Sequence, residues 1–295
     1  MKFYLLYPKV PLNPCLFPTF LKPFSDKGHS FVLNIEDADC ILFDLHTRIA
    51  DYDQREIDLV IEKGKYIATF DEFDKGGMSN LEWPYPLTNQ QEQIFKHIND
   101  GFILSIHFCR LLNKNKLYPS NVFPFERSIL YEEPMLSADE LFNRPIDVTY
   151  IANTAPNRKE IKRVFEADGR LKCNFLLGAE KLPFDKWVDE NRKSKFTISA
   201  SGGGYSDEKK QNLFSICAIL QEITDQLLLH PFIHGETCLK FDQPPTKQDL
   251  DTIFEVVNDK ERLYGIYKRN YDFMKTYYSK EYIANNILKT ILSHL

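Results

Sequence analysis

The residues best suited to chemistry in this chain of 295 lie in one stretch, Lys193–Glu222 (KSKFTISASGGGYSDEKKQNLFSICAILQE). Phe196–Ser199 reads as a short strand of β-formers. Gly202, Gly203 and Gly204 follow, three adjacent positions where positive φ costs little and the backbone comes close to a ligand. Ser206 or Asp207 suits a helix N-cap, and Leu213, Ile216, Cys217 and Leu220 fall at i, i+3, i+4 and i+7, which predicts a helix. A glycine loop entering a helix presents unpaired N–H groups to an anion, and phosphate is the usual guest. Lys209 and Lys210 oppose the helix dipole, which an anion lying between them and the N–H groups would offset. The run GGGYSDEKK satisfies neither GxGxxG nor GK[ST], and glycine loops also join strands to helices where nothing binds.

A second set of polar residues falls at the ends of apolar runs. Asp71 and Glu72 follow the predicted strand Tyr66–Phe70, Asp44 and His46 belong to the end of Cys40–Leu45, and His107 ends Gly101–Phe108. Ligands of open α/β sheets bind outside the carboxyl ends of the strands, so these are the candidate general bases, with Asp71 preferred and Glu72 and His46 as alternatives. The competing role for Asp71 and Glu72 is turn formation in DEFDKGG. Asp37-Ala38-Asp39 precedes a strand, the wrong side for a metal-binding DxD, and no His/Cys/Asp set has metal-ligand spacing. The expectation is a site without metal.

The elements that must position these residues alternate. Strands are predicted at Lys2–Tyr7, Phe31–Asn34, Cys40–Leu45, Tyr66–Phe70 and Gly101–Phe108, with helices at Thr19–Lys27, Gln54–Glu62 and Asn89–Asn99 between them. A linker at Tyr131–Asn143 precedes a second series. There, strands Ile146–Ala152 and Leu171–Leu177 flank a helix at Arg158–Glu166. Strand candidates Leu227–Ile233 and Thr237–Phe241 follow the glycine stretch, and then a helix at Lys247–Asn258. The rest is helical, with a stripe of Tyr264, Tyr267, Tyr271, Met274 and Tyr278 that reads as packing. Such alternation means mainly parallel α/β sheets. The length favours two domains, taken as residues 1–135 and 136–281 with a last helix over 282–295.

The net charge of −5 argues against a duplex nucleic-acid partner, which leaves a basic footprint. None of the six cysteines forms CxxC, and several lie in apolar runs, the pattern of reduced thiols rather than a disulfide framework. No run is long enough to span a bilayer, and the N-terminus lacks a signal-peptide pattern, so a cytoplasmic chain is expected.

Ser194-Lys195-Phe196, the glycine run Gly202–Ser206 including Tyr205, the helix predicted from Lys209, the loop Asn153–Arg158 and the segment His234–Phe241 together resemble the exostosin-like and CgeB-like glycosyltransferases. The resemblance covers about Ile146–Ile283. It implies the GT-B fold: α/β, two Rossmann-like domains facing a central cleft. The last helix would return to the N-terminal domain. The donor would be a UDP- or GDP-linked sugar, with no further cofactor, and the acceptor a glycan or other hydroxyl compound. By the same resemblance Arg158, Gly202–Gly204, Tyr205, Ser206 and Lys209 would hold the donor, and Asn212 would stand where the family has the ribose-binding Glu. The family has Arg where this chain has Lys209. Lys still serves as a phosphate point charge, without bidentate geometry. Glu236 or Glu222 would then take the ribose. The rival reading, prompted by Lys209 and Asn212, is a non-catalytic carbohydrate- or nucleotide-binding module on the same fold.

A charge-assisted phosphate contact contributes about 1.5–3 kcal/mol. Lys209→Ala is therefore expected to weaken binding of UDP or GDP roughly ten- to a hundredfold, with little change in melting temperature. Gly203→Val should do more, and Lys210→Ala less because successive helix positions diverge by about 100°. Calorimetric titration checks this; wild-type binding by both Lys209→Ala and Gly203→Val would place the phosphate elsewhere.

Overall fold

The computed structural model describes residues 1–6, 17–44, 52–63, 66–71, 89–90, 93, 102–105, 117–119, 133–178, 182–200, 213–223 and 230–293. The chain packs as two compact units. One comprises Met1–Glu126, Leu227–Leu229 and Lys280–Leu295, the other Arg127–Gln226 and His230–Ser279. No described helix is long and apolar enough to cross a membrane.

Unit 1 is built on six parallel strands, β1 (Lys2–Leu6), β2 (Ser30–Phe31), β3 (Cys40–Asp44), β4 (Tyr66–Asp71), β5 (Phe102–Ser105) and β6 (Leu117–Pro119). Their order is β2-β1-β3-β4-β5-β6. Its helices are α1 (Phe17–Asp26) and α2 (Gln54–Lys63). Alternation along β1 sends Phe3 and Leu5 to one face and Tyr4 and Leu6 to the other. The first pair packs with Phe24, Cys40 and Leu42, the second with Ile35, Ile41, Ile57 and Val60.

Unit 2 opens with α3 (Ala138–Phe142), inside the stretch read from sequence as a linker. Ser137 and Glu140 close it with a reciprocal capping box. Then come β7 (Ile146–Ala152), α4 (Pro156–Asp168), β8 (Cys173–Leu177), α5 (Phe184–Arg192), β9 (Ser194–Ser199), β10 (Ala218–Glu222), β11 (Leu239–Phe241), α6 (Lys247–Asn258) and α7 (Lys260–Tyr277). The five strands are parallel in the order β11-β10-β9-β7-β8. Numbered by appearance within each unit, the sheets run 2-1-3-4-5-6 and 2-1-3-4-5, a doubly wound order. The last helix, α8 (Lys280–Leu292), belongs to unit 1, where Ala284, Ile287, Leu288 and Ile291 form one face against Phe3 and Phe24.

One sequence expectation is overturned here. Leu213–Cys217 forms a single turn, closed by Cys217 N–H on the Leu213 carbonyl at 3.1 Å, and Ala218–Glu222 is strand β10, not helix. Every residue of β10 is buried, so its apolar run is continuous, and its spacing matches a helical face by coincidence. The segment 230–233, predicted as strand, is irregular. The tyrosine stripe of α7 is packing, and its hydroxyls tie down backbone. Tyr267 donates to the Ser215 carbonyl (2.8 Å) and accepts from Leu136 N–H (3.0 Å), and Tyr278 donates to the His230 carbonyl (2.8 Å).

At the amino ends of β7 and β9, Lys195 Nζ donates to Asp147 Oδ1 (2.9 Å) and to the Val257 carbonyl (3.0 Å), and lies 5.1 Å from the centre of the Phe142 ring. Asp147 Oδ2 accepts from Lys172 N–H (2.9 Å). Both residues are more than nine-tenths buried. Removing one partner strands the other charge, which costs about 3–5 kcal/mol. Lys195→Met should lose about that much stability in urea denaturation, and adding Asp147→Leu should restore part of it. A loss below about 1 kcal/mol in the single variant would show that the pair does not hold the sheet.

Candidate functional site

In a 2-1-3-4-5 sheet the crossovers leave strands 1 and 3 toward opposite faces, and a crevice opens at the carboxyl ends of those two strands. In unit 2 they are β7 and β9. Their registered pairs run Ile146↔Ser194, Val148↔Phe196 and Thr149↔Thr197 and stop there. Each strand continues on its other side, β7 with β8 as far as Ala152↔Leu177 and β9 with β10 as far as Gln221↔Ser199. By that topology the opening lies beyond the carboxyl ends of β7 and β9. Thr149 and Thr197 are fully buried, and neither hydroxyl has a hydrogen-bond partner. Nothing in the sequence points to them, since a Thr within a β-rich run reads only as a strand former.

The loop after β7, Asn153–Ala155, leads into α4 at this opening. Its N-cap, Ala155, makes no side-chain cap; Pro156 occupies the first turn, and the turn holds no acidic residue. Arg158 lies in that turn. Its Nη1 donates to the Asn153 carbonyl (3.1 Å), while its Nε is buried with no partner. Arg158 and the neighbouring Lys159 stand at the positive end of the helix dipole, where a cation is disfavoured unless an anion accompanies it. An uncapped helix start with a guanidinium beside it has the donors and charge to hold a phosphate.

β9 ends at Ser199, and Ala200 follows, fully buried. Gly202, Gly203, Gly204, Tyr205, Ser206, Lys209 and Asn212 lie outside the described residues. The structure thus brings Asn153–Arg158 and Ala200, the last described residue before the glycine run, to one edge of one sheet. Glu222 closes β10 at the same edge, 5% exposed. Glu236 does not reach it. It sits in the turn that precedes β11, whose registered pairs Leu239↔Leu220 to Phe241↔Glu222 run toward that edge, so the turn lies on the amino side. Arg269 holds that turn through the carbonyls of Glu236 (3.1 Å) and Gly235 (3.3 Å).

In unit 1, Asp71 is the last residue of β4, registered with Ser105. Asp44 ends β3 beside it, registered with Phe70. Both backbones stand at the carboxyl edge of the sheet. Glu72, His46 and His107 lie outside the described residues. Burial pushes the thiols of Cys173 and Cys238 up to about 12, so neither is a nucleophile at neutral pH. Among the described residues no group of three His, Cys, Asp or Glu side chains is placed to hold a metal.

No family model matches the sequence, and no curated protein is significantly similar to it. Solved structures are similar over the whole chain. They include an α-glucosyltransferase in complex with UDP and a 13-mer DNA containing a HMU base, at TM-score 0.59 and 11% identity over 99% of both chains. Anabaena HepE in complex with UDP and glucose gives TM-score 0.55 at 8% identity, covering 99% of this chain and 100% of that one. A Listeria monocytogenes protein assigned as a UDP-N-acetylglucosamine 2-epimerase gives 0.50 at 12% identity, covering 100% and 96%. At such identities the likeness shows the fold: two Rossmann-like α/β units of the GT-B type.

Arg158→Ala should weaken UDP binding roughly ten- to a hundredfold, the loss of one charge-assisted contact, and Arg158→Lys should retain part of the affinity. Melting temperature without ligand should barely move. Calorimetry showing equal affinity in Arg158→Ala and wild type would remove Arg158 from the site.

Proposed function

We propose that this chain is a glycosyltransferase that moves a sugar from a UDP- or GDP-linked donor to a hydroxyl of a glycan or glycoconjugate, in the cytoplasm and without metal. The observation that carries the reading is the start of α4 at the carboxyl edge of the sheet, without a side-chain cap and with Arg158 keeping a buried Nε that has no partner. The two segments marked by sequence, Asn153–Arg158 and the glycine run, follow β7 and β9 in the chain. The fold it shares with structures that hold UDP and UDP-sugars supports the same reading.

Sugar transfer requires that charge developing on the leaving diphosphate be stabilised, that the acceptor hydroxyl lose its proton, and that water be kept out. In the proposed site the first task falls to Arg158, Lys209 and the N–H groups of α4 and of Gly202–Gly204. Asn212 or Glu222 receives the ribose hydroxyls, and Tyr205 and Ser206 border the diphosphate. Asp71, or in its place Glu72 or His46, takes the acceptor proton. The acidic net charge weighs toward a glycan acceptor over a nucleic acid.

The test is release of UDP or GDP from nucleotide sugars, with and without an acceptor panel and in the presence of EDTA. Acceptor-dependent release that survives EDTA is the expected result. Tight nucleotide binding with no turnover would favour a binding module, and interconversion of free UDP-sugars an epimerase. Asp71→Asn should lower turnover by about 10² to 10⁴ and leave UDP affinity nearly unchanged. Full activity in that variant would shift the base to Glu72 or His46.

A further inference from the structure

The two faces of the unit 2 sheet are covered in different ways. On one, α4 and α6 place Ile161 and Ile253 in a single cluster with Val148, Tyr150, Phe196 and Ile198 of the strands. Alternation turns the registered rung Asn174–Thr149–Thr197–Ile219 to the other face. α5 covers that face, packing across β7 and β9, and Asn174 Nδ2 donates to its Glu190 Oε2 at 3.1 Å. Three fully buried side chains in this layer carry an atom with no hydrogen-bond partner: Thr149 Oγ1, Thr197 Oγ1 and, on α5 itself, Asn191 Oδ1. Val188 and Trp187 of α5 pack with Leu213, Ile216 and Cys217, and among the described residues no strand side chain joins that cluster. Tyr267 holds the turn Leu213–Cys217 to α7 through the Ser215 carbonyl. The last turn of α5 is tied down by Arg192, paired with Glu133 at 2.6 Å, and by the Asn191 carbonyl, which accepts from Ser194 Oγ at 2.9 Å.

A dry interface resists opening because its apolar surface would return to water. A buried polar group without a partner does the opposite, since it gave up its hydration on closing and regains it on opening. α5 follows β8 and leads into β9, so its first turn stands at the carboxyl edge of the sheet and its tied end at the amino edge. We propose that α5 is a flap hinged at Arg192–Ser194. It lifts from β7 and β9 as a body while the cluster on the other face stays closed. Its moving end is at the edge outside which ligands of such sheets bind, and the flap is independent of what that edge binds.

The experiment is native-state hydrogen exchange of single amides by NMR, at several low urea concentrations, in wild type, Ile253→Val and the double variant Thr149→Val/Thr197→Val. In wild type the amides bonded within α5 should exchange at least about tenfold faster than those of α4, with a weaker dependence on urea. Ile253→Val weakens only the cluster that stays closed. It should speed exchange in α4 roughly three- to tenfold and leave α5 unchanged. The two valines keep the shape of threonine and remove the unpaired hydroxyls, so exchange in α5 should slow by roughly tenfold for each. Equal protection and equal urea dependence of α5 and α4 in wild type overturn the inference, and so does a matching acceleration of both helices in Ile253→Val. Unchanged or faster α5 exchange in the valine pair also overturns it, because the hydroxyls would then not favour opening. Should the valine pair fail to fold, wild type and Ile253→Val decide the matter alone.

Discussion

The sheet of unit 2 depends on a strand pair tied at its amino end by a buried ion pair. At the amino ends of β7 and β9, Lys195 and Asp147 form a buried ion pair that also engages the Val257 carbonyl and Lys172 N–H. A buried pair of this kind contributes little compared with well-packed apolar side chains, but breaking it leaves a charge without water, so the geometry it imposes is hard to escape. It links β7, β9, α6 and the lead-in to β8 at one level of the sheet. Fixed at that level, the two strands cannot slip in register, which would turn every side chain to the wrong face.

Much of the fold was legible because local and global signals agree. β7 was read from Ile146 to Ala152 and α6 from Lys247 to Asn258, with the same limits as in the structure. The helix is bounded by Thr246 and Asp249, which cap each other reciprocally. Where agreement fails, so does the reading. FDKWVDENR has only three apolar residues in nine, too few to announce α5, whose Trp187 and Val188 join an apolar cluster. Strand β6 has only three residues, the last of them proline. The run before Glu222 carried two periods at once, and only burial on both faces decides for strand.

The site was legible to a lesser degree, for a physical reason. Sequence marks residues that bind through unusual backbone or charge, such as the glycine run and Arg158. It does not mark residues whose role comes from register. Thr149 and Thr197 are ordinary strand residues until the pairing shows them side by side, buried and with neither hydroxyl bonded. Glu236 shows the converse: its composition drew attention, but its place before β11 rather than after a strand puts it on the amino side of the sheet. Lys195, which helped to suggest the family resemblance, proves to hold the opposite end of the sheet from the opening.

The two units share a strand order, so each has a point where the order reverses, and the topology alone does not choose between them. In unit 2 the helix after the first strand, α4, begins after Ala155 without a side-chain cap, and Arg158 in its first turn keeps a buried Nε that has no partner. Helix N–H groups beside a guanidinium suit an anion. The proposed donor site therefore falls in unit 2, and the proposed base on the edge of unit 1 that bears Asp44 and Asp71.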